Sequence, residues 1–418
     1  MNKHFFPSWA VAALFFLFLA SSCGQLLKQE KHTTPINKET LYSDGIDKGI
    51  ETIMKDLDVI GLGVAVVRGN EIIYKNSWGL KDRERNIPLS NDDLFRIASI
   101  SKSFTATSIL QLAEKGFIDL NADVSDLVGF KVRNPYFPEV VITPYMLLSH
   151  TSSLNDKQGY FSMDILNPAT NPDWAKCYCE YRPGTRYRYC NMNYNTLGTI
   201  LERVSRIRFD QYVVGNVLKP LGIDYGGYWV ESLDSTKLVT LYEKDSTGTW
   251  QPQPEAYAPR REDIANYKMG YSAPIFSPTG GMKLNPEGLA KVMQMHMGLG
   301  TSPNGVKILS AESSLLMQSR FTEIPDTAPG LNPAFYGFAL WNNRDLIEGK
   351  TMVGHTGGAW GALTLMTWNK ERTWGVVVMT NGCIEQEGEE KEKGFQCVFY
   401  RVANCLYQNL IKGTEADI

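Results

Sequence analysis

A serine and a lysine stand three residues apart at Ser99 and Lys102, and this is the only Ser-x-x-Lys spacing in the 418 residues. A serine hydroxyl is a weak nucleophile at neutral pH and is activated by a base within hydrogen-bond reach. On a helix the i,i+3 spacing stacks the lysine amine against the serine. A serine in the first turn also lies near unpaired backbone N–H groups and the positive end of the helix dipole, where a developing oxyanion is stabilised. The chemistry such a pair could do is acyl transfer. Further along, Tyr189 and Asn191 lie two apart just before a helical pattern. A phenol beside an ammonium can carry a proton to a leaving group, and an amide can orient a substrate amide. The third stretch is Gly354-His355-Thr356-Gly357-Gly358, where missing side chains let backbone N–H groups approach a ligand closely. Each stretch alone also reads plainly, as a common residue pair, a packing loop or a glycine bulge, so the argument rests on all of them together.

The elements that must position these residues follow from periodicity. Apolar or aromatic residues Tyr42, Ile46, Ile50, Ile53 and Leu57 recur every three or four positions and predict an amphipathic helix over 41–58. The β-branched runs Gly63–Val67 and Ile72–Tyr74 flank a Gly-Asn turn and predict a hairpin. Helical pattern returns after Ser99 and is expected again at 143–149, 193–205, 285–298 and 310–319. Strands are expected at Tyr336–Trp341, Leu363–Trp368 and Trp374–Thr380, followed by a last helix with Phe395, Val398, Val402, Leu406 and Leu410 on one face. The stretches 154–188 and 221–282, rich in Gly, Pro, Asn and aromatics, read either as functional loops or as decorated surface. Strands at both ends with helices between predict an α+β fold: one sheet built from both termini, flanked by helices, with an inserted helical region.

Composition narrows the function classes. With 43% hydrophobic and 21% charged residues the chain can bury a large core, and a net charge of −3 with mixed signs gives no basic face for nucleic acid. An apolar run from Phe5 to Ala20 is short for a membrane span and reads as an export signal. It ends at Ser21-Ser22-Cys23, which resembles a lipoprotein cleavage site, so residues 1–22 are expected to be removed, Cys23 to carry lipid and 23–40 to act as a tether; ordinary secretory cleavage is the alternative. The expected location is the bacterial cell envelope. Cys383 and Cys397 flank the acidic loop Glu385–Lys393 and are expected to form a disulfide. Cys177-x-Cys179 lacks zinc-site spacing, and no metal is expected.

In that order and at those separations, Ser99-x-x-Lys102, Tyr189-x-Asn191 and His355-Thr356-Gly357 resemble the three active-site motifs of the serine β-lactamase and penicillin-binding-protein superfamily. The resemblance is to the branch of class C β-lactamases, D-alanyl-D-alanine carboxypeptidases and related esterases. Leu147–Ser152, Pro183-Gly184-Thr185 and Ser277–Met282 also resemble linking stretches of that branch. The resemblance covers about 41–410, with the α/β part at about 41–105 and 335–412 and the helical part at about 106–334. It implies Ser99 as nucleophile, Lys102 as base and Tyr189 as proton shuttle. Asn191, His355, Thr356, Gly357 and Gly358 would bind substrate, the N–H groups of Ser99 and Gly358 forming the oxyanion hole. No cofactor is implied, and the substrate would be a D-amino-acid peptide, another amide or a small ester. A class C β-lactamase and a low-turnover penicillin-binding sensor remain the alternatives. His355 stands where class C enzymes carry a lysine and is expected to hold a substrate carboxylate through a partly charged imidazole, whereas His150 is expected to hold backbone beside the site.

Overall fold

Alternation of apolar side chains sorts the strands onto two faces of one sheet. The computed structural model describes residues 38–323, 335–384, 391–392 and 395–414; residues 42–418 form one unit, and of residues 1–41 only the start of a helix is described. The sheet has nine strands: β1 Gly61–Arg68, β2 Glu71–Asp82, β3 Ile87–Pro88, β4 Thr322–Glu323, β5 Phe335–Tyr336, β6 Trp341–Asn343, β7 Met352–Ala359, β8 Ala362–Asn369 and β9 Trp374–Thr380. Their spatial order is β3-β2-β1-β9-β8-β7-β6-β5-β4, with antiparallel pairing throughout. β1 and β9, from opposite ends of the chain, are therefore neighbours, with Val64 opposite Val378 and Val66 opposite Val376.

The period of two sends Leu62, Val64, Val66, Val376 and Val378 into one buried cluster and Ala65, Val67, Val377 and Met379 into another. Helices α1 (Lys38–Asp56) and α5 (Cys397–Leu410) contribute Ile46, Ile50, Val398, Val402 and Leu406 to the first cluster. Helix α4 (Pro286–Met297) contributes Leu289, Val292 and Met293 to the second. Each such side chain fully buried is worth roughly 1.5–3 kcal/mol against leaving it in water. The second cluster continues into the helical region, where α2 (Ser101–Glu114) and α3 (Asn191–Ser205) lie. Residues Ser101 to Leu112 of α2 are buried on every side, so this helix is the axis on which the helical region packs.

Two expectations give way. The strand expected over 336–341 is broken into β5 and β6, because Ala339 adopts a positive φ of 63° and the backbone folds back on itself, with Gly337 N–H donating to Leu340 O at 2.8 Å. A Cβ at Gly337 would sit 2.3 Å from Met317 O, so only glycine lets the helix end at Ala311–Met317 come this close. The Cys383–Cys397 disulfide is absent, since neither residue is part of a disulfide. Both are buried in the apolar cluster on the α1 and α5 face of the sheet; loop length counted the residues between them but not where the sulfurs lie. Cys23, the export signal and the expected tether up to residue 37 fall outside the described residues, whereas residues 38–40 of that tether already belong to α1; no described helix is long and apolar enough to cross a membrane.

Candidate active site

Ser99 lies in a single turn, Ala98–Ile100, that leads directly into α2. Ala98 enters that turn with φ 45°, a conformation costing an L-residue roughly 1–2 kcal/mol, and it lifts the serine out of the buried helix so that Ser99 is half exposed. Strand β7 holds the turn from the other side. A Cβ at Gly357 would lie 2.4 Å from Ile97 O, and Thr364 of β8 donates its hydroxyl to the same carbonyl at 2.9 Å.

One turn on, Lys102 is fully buried, and its amine has three acceptors: Ser99 Oγ at 3.1 Å, Asn191 Oδ1 at 2.9 Å and the Thr279 carbonyl at 2.9 Å. The amine also lies 4.6 Å from the ring centre of Tyr189. Burial lowers the Lys102 pKa to about 7, partly opposed by the charge of Asp156 and by Cys190. Near neutral pH a large share of this lysine is therefore a free amine in contact with the serine. Tyr189 is half buried; burial raises its phenol, and its hydrogen bond with Ser99 pulls the other way. It is a neutral proton donor beside the Ser99 hydroxyl.

Asn191 opens α3, and both ends of its amide are taken inside the protein. Its oxygen accepts from Lys102 and, at 2.8 Å, from the Thr279 hydroxyl, while its NH2 donates to Asp156 at 3.1 Å. The amide therefore positions the lysine. Thr279 belongs to the turn 277–282, which is clipped to α2 by Thr105 Oγ1–H on Pro278 O at 2.8 Å and by Met282 N–H on Ser101 Oγ at 3.0 Å.

His355 is buried on β7, and its ring nitrogens face the Tyr336 hydroxyl at 3.2 Å and the Thr356 carbonyl. Burial first, then the charge of Lys102, lower its pKa to about 3, with the Thr356 carbonyl opposing. The expected partly charged imidazole is thus replaced by a neutral one, because sequence position says nothing of the depth at which the ring sits. Its ring centre is 6.3 Å from that of Tyr189. Beyond it Thr356 is half buried and Gly358 exposed, at the end of β7 nearest the serine turn. His150 is buried with φ 56°; Cys190 N–H donates to its Nδ1 at 3.3 Å, and its ring lies 4.5 Å from Tyr189. It holds the segment that carries the tyrosine, and burial keeps its pKa well below the usual imidazole range.

The expected residues Ser99, Lys102, Tyr189 and Asn191 are thus brought into one connected group, with Thr356, Gly357 and Gly358 on the neighbouring strand. Sequence reasoning missed Asp156, Thr279 and Tyr336. Thr279 lies inside the resembling stretch Ser277–Met282, so that stretch was its signal; Asp156 and Tyr336 gave none.

The Beta-lactamase family profile matches residues 46–394. Over 350 residues the chain is 24% identical to Protein flp of Staphylococcus aureus (strain N315), an alignment covering 80% of this chain and 62% of that protein. It therefore spans less than two thirds of that relative's length. Among solved structures, the octameric penicillin-binding protein homologue from Pyrococcus abyssi is 24% identical with a TM-score of 0.68, covering 88% of this chain and 77% of that one. D-amino acid amidase from Ochrobactrum anthropi SV3, complexed with L-phenylalanine amide, is 18% identical with a TM-score of 0.68, covering 89% and 99%. Both show the shared fold. With the profile spanning the sheet and the helical region alike, the chain belongs to the Beta-lactamase family.

Proposed function

We propose that the protein, a serine hydrolase by family, cleaves amides or small esters of the D-amino-acid class through an acyl-serine at Ser99. The observation that carries this is the buried Lys102 amine 3.1 Å from Ser99 Oγ, with its pKa brought to about 7. The neutral amine takes the hydroxyl proton as Ser99 Oγ bonds to the substrate carbonyl carbon. The N–H groups of Ser99 and Gly358 receive the oxyanion. As the carbonyl re-forms, the bond to the leaving group breaks; Tyr189 gives that group its proton and recovers one from the Lys102 ammonium. Water then attacks the acyl-serine by the same route in reverse.

The neutral His355 favours uncharged amides and esters over β-lactams and peptides that rely on a cation at this position to hold a carboxylate. The amide class also agrees with the fold shared with D-amino acid amidase. Export and anchoring through Cys23 belong to the same proposal and rest on the sequence; a Cys23→Ala protein that still pelleted with membranes would remove the anchor from it. The substrate reading is tested by intact mass and turnover with a fluorophosphonate, a D-amino acid amide, a D-Ala-D-Ala peptide and a penicillin in parallel. An adduct on Ser99 with the first and turnover of the second are expected. A stable penicilloyl adduct without amide or ester turnover would replace the hydrolase with the sensor.

A further inference from the structure

Helix α3 begins after Cys190 with no side-chain cap of its own. Its first N–H groups are taken instead by a carboxylate from a distant loop. Asp156 Oδ2 accepts from Asn191 N–H at 2.8 Å, and Oδ1 accepts from Met192 N–H at 3.0 Å and from the Cys190 thiol at 3.2 Å. A carboxylate at the N-terminus of a 15-residue helix also meets the positive end of its dipole.

The fourth contact bears on catalysis. Asp156 Oδ2 accepts from the side-chain NH2 of Asn191 at 3.1 Å, and a carboxylate can only accept. An Asn191 amide turned by 180° would set its oxygen against that carboxylate and its NH2 against the Lys102 ammonium and the Thr279 hydroxyl. Asp156 thereby specifies which end of the amide faces the base, and the oxygen so aimed accepts from Lys102 at 2.9 Å and from Thr279 at 2.8 Å.

We propose that Asp156 is a positioning residue for acyl transfer: through the Asn191 amide it holds the Lys102 amine on Ser99. The proposal rests on the reading of Lys102 as the base. The groups around that amine are Asp156 and Cys190 at the start of α3, Tyr189 and Tyr194, and the imidazoles of His150 and His355. Burial keeps the phenols, the thiol and both imidazoles neutral, which leaves the carboxylate as the charge that opposes deprotonation of the lysine.

Asp156→Asn keeps the shape and removes the charge, and asparagine retains an oxygen that can cap the helix. The expected result is a fall in kcat of about tenfold or more with KM within about twofold. The acidic limb of kcat/KM should also move to lower pH, because removing an anion near an ammonium lowers its pKa. A structural cap alone would lower Tm and leave both the limb and kcat in place, and that outcome overturns the proposal. Should Asp156→Asn not fold, Asp156→Glu carries the test, since it keeps the charge but moves the oxygens that hold Asn191; a native kcat there contradicts a route through the amide, and a fall of about tenfold or more with native Tm supports it. Absence of any Ser99 adduct in the native protein would instead point to failure of the hydrolase reading itself.

Discussion

Burial takes water from the Lys102 ammonium while leaving it a hydroxyl, an amide oxygen and a carbonyl as partners, so the proton it carries is easily given up. The same burial acts on His355 with the opposite usefulness, since it removes the charge that a carboxylate would need. Selectivity between a carboxylate substrate and a neutral ester should therefore show no change as pH passes through 6–7 that depends on His355. The measurement is the ratio of kcat/KM values for the two substrates from pH 5.5 to 8.5, in the native protein and in His355→Gln. A ratio that falls through pH 6–7 in the native protein and is flat in the variant would return the charge to His355. At this scale the sequence disclosed residues that stand close together in the chain: Ser99 and Lys102, which are hydrogen-bonded, and Tyr189 and Asn191, which both face Lys102. Asp156 reaches Asn191 from 35 residues away and Tyr336 reaches His355 from another strand, and no local pattern encodes either contact.

Among the elements, the serine turn and strand β7 are pressed together, and Gly357 is what allows it. A Cβ there would lie 2.4 Å from Ile97 O, 2.4 Å from Thr364 Oγ1 and 3.1 Å from Ala98 Cβ, and two of these are backbone or tightly held atoms. Gly357→Ala should push β7 from the serine turn, lowering kcat/KM by about a hundredfold and stability by about 1–3 kcal/mol. Thermal unfolding and ester kinetics on the variant check both; native kinetics would mean that the strand does not set the position of Ser99. Element types were legible where the signal was long and uniform, as in the continuous apolar, β-branched runs of β1 and β9 and the three-or-four spacing of α1 and α5. The break between β5 and β6 was not, because it depends on Gly337 meeting a helix end distant in the chain. The neighbouring of β1 and β9 followed from strands recurring at both ends.

For the whole molecule, three of the five histidines are buried and held neutral: His150, His296 and His355. His296 stacks on Trp368 in the core, and burial lowers its pKa to about 4. Each of these groups binds its proton more weakly in the folded than in the unfolded chain. Between an unfolded value near 6.5 and the folded value the unfolded chain thus holds more protons, and stability falls as pH falls. The slope from each such group approaches about 1.4 kcal/mol per pH unit within that window. Tm should decline steadily from pH 7 to pH 4, and His296→Gln should flatten part of that decline. A Tm that stays level to pH 4 would contradict the burial assigned to these rings.

The central claim is that Lys102 is the base that activates Ser99, and it is tested most directly by the pH dependence of the acylation rate. Stopped-flow acylation by a neutral ester, with intact mass confirming the adduct on Ser99, should give a rate that rises through a single ionisation near pH 7 and then levels. Lys102→Met should lower that rate by about a hundredfold or more and abolish the ionisation. A rate independent of pH between 5.5 and 9, or an inflection retained in Lys102→Met, would contradict it.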